Sequence, residues 1–162
     1  MIMHKTGISI RKAHRRDLPA IHGLVRELAI YERAEAEFIA SIEEYEQDFE
    51  RGIFEAHVAE LDGDVVGMAL YYMAYSTWKG KMLFLEDFVV REAYRRNGIG
   101  QRLFEAFLEE ARRQDCRLVK WQVLDWNEPA IKFYEKNGAL IEREWWNGKL
   151  FFELNPAIEQ PS

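Results

Sequence analysis

One stretch of the chain, residues 83–103 (LFLEDFVVREAYRRNGIGQRL), joins an apolar segment to a short basic loop with two glycines and then to an amphipathic helix. The apolar segment carries two adjacent carboxylates, Glu86 and Asp87. Glycines let backbone N–H groups approach a ligand closely, and the start of a helix presents unpaired N–H groups and a positive dipole end. The stretch therefore predicts a strand–loop–helix unit that binds a phosphate-bearing cofactor beside an acid pair. That pairing suggests group transfer to a cationic substrate.

The overall composition is that of a globular protein with one domain, residues 1–162. The net charge of −6 argues against nonspecific binding of nucleic acid, which needs a basic face. Cys116 is the only cysteine, so no disulfide can form within the chain, and this suits a reducing compartment. No stretch reaches the roughly 18 apolar residues that a membrane span needs, and no signal peptide is recognisable. We expect a cytoplasmic protein that binds neither nucleic acid nor a membrane.

Periodicity predicts a mixed α/β fold, with a central sheet that is mostly antiparallel, parallel at one crossover, and flanked by helices. A capping-box pattern, Ser41-Ile42-Glu43-Glu44, begins one helix, and Asn127 with Pro129 begins another. The expected strands are 7–12, 54–61, 65–75, 81–90, 118–123, 139–143 and 149–154. The last two would form a hairpin around Asn147-Gly148. The expected helices are 17–32, 42–51, a helix from Ile99, and one from Asn127 to Gly138.

The glycine loop does not match the two best-known phosphate-binding loops. Gly98-Ile99-Gly100-Gln101-Arg102-Leu103 lacks the third glycine of the dinucleotide-binding fingerprint, and Gln101-Arg102 does not supply the Lys-Ser/Thr of a P-loop. What remains is Arg95-x-x-Gly98-x-Gly100 at a strand–loop–helix junction. Taken alone, that hexamer is equally compatible with a tight, well-capped turn.

The same hexamer resembles the acetyl-CoA-binding motif of the GNAT N-acetyltransferase superfamily, and the order of elements is similar from about Ile8 to Leu154. Further runs resemble the diamine (spermidine/spermine) N-acetyltransferases and their thialysine-acetylating relatives. These runs are Glu27-Leu28-Ala29-x-Tyr31-Glu32, Tyr71-Tyr72, Trp78-x-Gly80-Lys81, Leu85-Glu86-Asp87-Phe88, Trp126-Asn127-Glu128-Pro129 and Phe133-Tyr134.

The resemblance implies a site for acetyl-CoA, used as a cosubstrate without a metal. Backbone groups of Phe88 and Val90 would pair with the pantetheine arm, the loop would surround the pyrophosphate, and Asn127 would help to hold the arm. The full set of implied cofactor-binding residues is Phe88, Val89, Val90, Arg95, Arg96, Asn97, Gly98, Ile99, Gly100, Gln101, Asn127 and Tyr134.

Acetyl transfer to an amine needs a proton acceptor, because an amine with a pKa of about 10 is protonated at neutral pH and cannot attack a thioester. Glu86 is the candidate base, acting through water, since a carboxylate partly surrounded by apolar groups holds a proton more tightly. Tyr134, which the resemblance puts near the sulfur, is the candidate acid for the departing thiolate. Asp87 faces away from Glu86 if the strand is regular, whereas a bulge would turn both towards the cleft. The alternative for Asp87 is a structural hydrogen-bond acceptor.

An acidic and aromatic amine pocket is a further expectation, built from Tyr31, Glu32, Trp78, Trp126 and Glu144 together with Asp87. The alternative for the tryptophans is a core or interface position. Ser76 stands where the polyamine enzymes have an acidic residue, and this leaves thialysine, lysine or a small diamine at least as good a candidate as a polyamine.

Three further expectations complete the sequence-based picture. The histidines His4, His14, His22 and His57 show no ligand spacing, so we predict no metal site. The family resemblance suggests a homodimer. The alternative functions are a protein acetyltransferase for lysine or N-termini and a non-catalytic acyl-CoA sensor, although a sensor would not need Glu86, Asp87 and Tyr134.

Overall fold

The computed structural model describes residues 7–152. Two compact units make up the chain, Met1–Gln122 and Val123–Ser162. Within residues 7–152, no helix is both long enough and apolar enough to cross a membrane.

The first unit contains one five-stranded sheet in the order β1-β2-β3-β4-β5. Its strands are β1 (Ile8–Lys12), β2 (Glu55–Leu61), β3 (Asp64–Ser76), β4 (Gly80–Val90) and β5 (Leu118–Trp121). The neighbouring strands are antiparallel except for β4 and β5, which are parallel. The crossover between β4 and β5 contains a helix, which is the usual form of a parallel connection. The expected mixed, mostly antiparallel sheet is confirmed.

Three helices cover this sheet: α1 (Leu18–Tyr31), α2 (Ile42–Glu50) and α3 (Ile99–Arg113). One core cluster joins α1 residues such as Leu18 and Ile21 to Met68 and Leu70 of β3, with Tyr45 of α2 packed against it. A second cluster joins Ile99 and Leu103 of α3 to strand residues that include Ala59 and Val66. Helices α1 and α2 therefore cover one face of the sheet and α3 covers the other.

The local signals that start these elements are visible in the structure. Ser41 Oγ accepts a hydrogen bond from the Glu44 backbone N–H at 3.1 Å, so the predicted capping box forms. In the β2–β3 turn, Asp62 and Gly63 have φ values of 51° and 86°. Two successive positive φ values define the turn that matches the twist of a two-residue hairpin.

The second unit contains α4 (Glu128–Lys136). Asn127 caps it as predicted, with its side-chain oxygen accepting from the Ala130 N–H at 3.4 Å. The predicted final hairpin is wrong over the residues that the structure describes, because residues 139–152 contain no strand. Large apolar side chains there remain exposed, Trp146 at 94% and Phe152 at 88%. Two such strands need a further partner or a packed apolar face to be stable. The end of the predicted second strand, at Leu154, lies outside the described residues.

Candidate active site

The pairing of β3 with β4 is interrupted at the two carboxylates. Leu85 lies opposite Tyr71, but Asp87 lies opposite Leu70, so Glu86 is an extra residue in β4. This is a β-bulge, which disturbs the alternation of side chains between the two faces of a sheet. From the sequence, only a bulge would turn both Glu86 and Asp87 towards the cleft. That bulge is present in the structure.

The bulge places both carboxylates on the face covered by α1. Leu70 belongs to the core cluster that includes α1, and Asp87 is its cross-strand partner, so the two share a face. Tyr72, two residues after Leu70 in β3, is on the same face, and its hydroxyl donates to Glu86 Oε1 at 3.2 Å. Glu86 and Asp87 thus point to the same side of the sheet.

The electrostatic environment of the two carboxylates differs. Burial, followed by the negative charges of Glu86 and Glu32, raises the pKa of Asp87 to about 7. Burial and the charge of Glu86 also raise the pKa of Glu32, which follows the last residue of α1. Glu86 itself is exposed. The apolar setting that made Glu86 the candidate base therefore belongs to Asp87 in the structure.

Two tyrosines beside this acidic cluster received no role from the sequence. Burial and the charges of Asp87 and Glu86 raise the pKa of Tyr45 in α2. Burial and the charge and hydrogen bond of Glu86 raise the pKa of Tyr72 to about 12. Tyr72 stands in the Tyr71-Tyr72 pair that resembles the family, whereas no sequence signal singled out Tyr45.

The glycine loop leads into α3, as predicted. Gly98 is the residue before the helix and has a left-handed φ of 78°, and it has no side chain to cap the first N–H groups of α3. Arg95 and Arg96 are exposed. Exposed cations beside an uncapped helix start suit a pyrophosphate, so these residues fit the anionic part of acetyl-CoA.

Side chains of the loop are held by local contacts. Arg95 Nε donates to the Val90 carbonyl at 2.8 Å, and its guanidinium lies 5.9 Å from the ring centroid of Tyr31. Asn97 Nδ2 donates to the carbonyls of Tyr94 and Arg95 at 3.1 and 3.2 Å. These contacts bring the loop next to the end of β4.

The end of β4 is the part of the strand that, by the family resemblance, would pair with the pantetheine arm. The ladder between β4 and β5 stops at the pair Leu85–Trp121, whereas β4 continues to Val90. Phe88 packs towards α3, with its ring centroid 5.9 Å from that of Phe104, and Val89 is in the core on the opposite face. Ile99 is also buried, so its contribution to a ligand would come from its backbone.

The proposed pocket residues are only partly brought together. Glu32 is close enough to the two carboxylates that the charge of Glu86 raises its pKa and its own charge raises the pKa of Asp87. Tyr31 precedes it in the chain. Trp78 lies in the β3–β4 turn and is 85% exposed. Glu86 is six positions along β4 from Gly80, a span of about 20 Å, and the backbone of Trp78 lies beyond Gly80 in the turn. The structure does not place Trp78 beside this acidic cluster.

The remaining candidates lie in the second unit. Tyr134, in α4, is buried, and its ring centroid is 5.6 Å from that of Phe133. Trp126 and Asn127 stand at the start of α4, and Trp126 is partly exposed. Glu144 is exposed in the segment without regular secondary structure.

A separate groove of about 340 Å³ lies on the α3 side of the sheet, lined by residues that include His57 and Glu110. Several polar groups along the groove have hydrogen-bond or ion-pair partners within the protein. Tyr71 Oη and His57 Nδ1 are hydrogen bonded at 2.9 Å, and Glu110 pairs with Arg113 and accepts from Gln114 Nε2 at 2.5 Å. Burial alone would raise the pKa of Glu110, but its hydrogen bonds with Arg113 and Gln114 and the nearby positive charges lower it to about 2, which indicates a structural ion cluster. In residues 7–152, no group of three or more His, Cys, Asp or Glu side chains is arranged to hold a metal ion.

Comparison with known proteins agrees with this geometry. Residues 18–139 match the Acetyltransferase (GNAT) family, and the chain belongs to that family. It is similar to the thialysine N-epsilon-acetyltransferase of Bos taurus, with 38% identity over 152 residues that cover 86% of this chain and 89% of the relative. It is also similar to the spermidine/spermine N(1)-acetyltransferase-like protein 1 of Homo sapiens, with 33% identity over 85% of this chain and 21% of that protein.

Solved structures agree on the fold. An aminoglycoside N-acetyltransferase in complex with CoA superimposes with a TM-score of 0.71 at 20% identity, covering 88% of this chain and 94% of that one. The family and the named relatives identify the chain as an acetyl-CoA-dependent N-acetyltransferase that acts on an amine.

Proposed function

We propose that the protein transfers the acetyl group of acetyl-CoA to a primary amine of a small diamine, polyamine or thialysine-like substrate by direct attack. The observation that carries the proposal is the bulge in β4, which puts Glu86 and Asp87 on one face of the sheet, near Glu32. Three carboxylates on one side of the sheet favour the arrival of a positively charged ligand, because its charge offsets their mutual repulsion. The names of the relatives, thialysine and spermidine/spermine acetyltransferases, support the same substrate class.

The two carboxylates of β4 suit the removal of a proton from the substrate. The exposed Glu86 is reachable by a water or an ammonium group, and it is the proposed water-mediated base. Asp87, with a pKa of about 7, is matched to accept a proton at neutral pH and is the alternative acceptor. Tyr134 is the proposed acid that protonates the departing thiolate.

The proposed acetyl-CoA site combines the loop with the end of β4. The exposed arginines and the uncapped start of α3 would hold the pyrophosphate, and backbone groups of Phe88 and Val90 would pair with the pantetheine arm as an added strand does. The other residues proposed to line this site are Val89, Arg95, Arg96, Asn97, Gly98, Ile99, Gly100, Gln101 and Asn127. The thioester bound there supplies the activated acetyl group.

The amine pocket is proposed to use Glu32 and Asp87 for charge and Tyr31 for an aromatic contact. Trp126 and Glu144 remain proposed members of the pocket, whereas Trp78, at the far end of the β3–β4 hairpin, is left out of it. The suggested homodimer in the cytoplasm also stays a proposal, and light scattering of the purified protein would measure its mass.

The test is release of CoA from acetyl-CoA in the presence of spermidine, spermine, putrescine, thialysine, lysine or a histone-type peptide. We expect turnover with at least one of the small amines. Turnover with the peptide alone would favour a protein acetyltransferase, and tight binding of acetyl-CoA without any turnover would favour a sensor.

The same assay separates the two candidate bases. If Glu86 is the base, Glu86→Gln removes the rise of rate with pH and Asp87→Asn keeps it. If Asp87 is the acceptor, the reverse holds, and the rise in the wild type lies near pH 7, where Asp87 loses its proton.

A further inference from the structure

The bulge that exposes Glu86 also takes it out of the regular ladder. Its neighbours Leu85 and Asp87 both have cross-strand partners in β3, whereas Glu86 has none in that register. A residue at such a position is not held by a directly opposite side chain, so its orientation depends on other contacts. The hydrogen bond from Tyr72 is the contact that the structure provides.

Tyr72 is itself well fixed. It lies opposite Phe84 in the ladder, and the two rings are stacked at 5.4 Å between centroids with an interplanar angle of 25°. The ring is half-buried. A donor on a rigid, packed ring can therefore select one orientation of a flexible, exposed glutamate.

The surroundings of Glu86 make this donor chemically relevant. The groups that face it are the carboxylates of Asp87 and Glu32 and the hydroxyls of Tyr45 and Tyr72. The two carboxylates repel the Glu86 charge, and Tyr72 is the group with a hydrogen bond to its carboxylate. Without that bond, Glu86 would be pushed away from the acidic cluster towards solvent.

We propose that Tyr72 is a positioning residue whose hydroxyl holds the Glu86 carboxylate in the orientation that receives the ammonium group of the substrate. This inference rests on the proposed function and adds a specific residue to it. Tyr72 does not need to touch the reacting atoms, because it acts through Glu86.

The test is a double-mutant cycle of Tyr72→Phe and Glu86→Ala, measured with the best amine of the panel. Phenylalanine keeps the ring stacked on Phe84 and removes only the donor. We expect Tyr72→Phe to lower kcat/KM for the amine by about three- to tenfold, the range for a typical hydrogen bond, because exposure of Glu86 to solvent weakens the effect of its charge. The KM for acetyl-CoA should not change. In the Glu86→Ala background, Tyr72→Phe should change kcat/KM by less than about twofold, because the acceptor is gone.

The matched control is Tyr75→Phe, which removes the hydroxyl of an exposed tyrosine three residues further along β3 and should leave all kinetic constants unchanged. Equal losses from Tyr72→Phe in both backgrounds would show that Tyr72 acts independently of Glu86 and would overturn the inference. An unchanged kcat/KM in Tyr72→Phe would overturn it as well. These outcomes require an active wild type, so they differ from failure of the proposed function, in which the wild type acetylates no amine.

Discussion

Asp87 lies opposite Leu70 in the β3–β4 ladder, and it therefore shares the sheet face that packs on α1. A carboxylate in this position is surrounded by apolar side chains on one side and by the charges of Glu86 and Glu32 on the other. Both surroundings penalise its charged form. Such an arrangement is unfavourable for folding and is typical of sites where proton transfer takes place.

The first prediction concerns the stability of the protein as a function of pH. The pKa of Asp87 in the folded protein, about 7, is above its ordinary value of 3.8. Between these values the folded state keeps a proton that the unfolded state has lost, so the contribution of Asp87 to stability falls as pH rises through this window. Asp87→Asn removes that fall. A shift of about three pKa units corresponds to roughly 4 kcal/mol at about 1.4 kcal/mol per unit. We expect the variant to gain part of this, exceeding the wild type in free energy of unfolding at pH 8 by about 1–2 kcal/mol.

Urea unfolding of both proteins at pH 5 and pH 8 measures this difference. Asp64→Asn, at an exposed aspartate where β3 begins, is the matched control and should follow the wild type at both pH values. A gain in Asp87→Asn that is equal at pH 5 and pH 8 would show that the charge of Asp87 is not its cause.

The second prediction concerns the conformation of the glycine loop. Gly98 has a φ of +78°, and a Cβ built there would meet nothing within 4 Å. Gly98→Ala should therefore lose about 1–2 kcal/mol of stability through backbone strain alone, without a clash. Because relief of that strain would move the loop, we expect the Kd for acetyl-CoA to rise severalfold.

Calorimetry with acetyl-CoA and urea unfolding test this prediction, with Gly23→Ala as the control. Gly23 is inside α1, and a Cβ there also meets nothing within 4 Å, but its φ is not positive. Alanine at that position should stabilise the protein by about 0.5–1 kcal/mol and leave the Kd unchanged. Similar behaviour of the two variants would mean that the left-handed conformation of Gly98 is unimportant.

Local patterns predicted the loop and the start of α3, because glycines and helix periodicity determine backbone conformation over a few neighbouring residues. The position of the bulge depends instead on the pairing of β3 with β4 along their whole length. Ser76 pairs with Gly80 at one end and Gly67 with Val90 at the other, so β4 must contribute one residue more than β3. The sequence could state that a bulge would bring Glu86 and Asp87 together, but the location of the extra residue follows from the pairing of the two strands along their whole length.

Two other differences have similar causes. Trp78 resembles a pocket residue in sequence, but its distance from Glu86 follows from the length of the β3–β4 hairpin. The Asn147-Gly148 turn signal predicted two strands, 139–143 and 149–154, yet a strand also needs a partner and an apolar surface to cover. Trp146 is exposed, so in the described part of the chain its side chain has no such apolar surface to pack on.

The third prediction concerns an ion cluster that ties β1 to the start of α1. Arg11 donates to both carboxylate oxygens of Asp17, at 2.8 and 2.9 Å, and also to Glu60. Asp17 is only 5% exposed, and its hydrogen bonds with Arg11 hold its pKa below the ordinary value. Asp17→Ala should destabilise the protein by about 3 kcal/mol at pH 7, because it leaves a partly buried guanidinium without its main partner.

The comparison variant for this cluster is Glu50→Gln, which breaks an exposed ion pair with Arg15 and should cost less than about 1 kcal/mol. The wild type should lose stability as pH falls towards and below the ordinary pKa of an aspartate, because Asp17 has a lowered pKa in the folded state and its stabilisation is present only above that range. Asp17→Ala should lose this part of the acid sensitivity. Equal costs for Asp17→Ala and Glu50→Gln in urea unfolding would contradict the prediction.

The fourth prediction concerns the proposed acid, Tyr134. Phenylalanine keeps the buried ring and its packing at 5.6 Å on Phe133, so α4 and the affinity for acetyl-CoA should be preserved. Loss of the hydroxyl removes the proposed proton donor for the thiolate. We expect kcat to fall by about ten- to a hundredfold, near the lower end of general acid catalysis, because a thiolate is already a good leaving group. Steady-state CoA release gives kcat, calorimetry gives the Kd for acetyl-CoA, and Tyr75→Phe is again the matched control. A normal kcat in Tyr134→Phe would remove Tyr134 as the acid. A raised Kd together with a normal kcat would make it a binding residue instead.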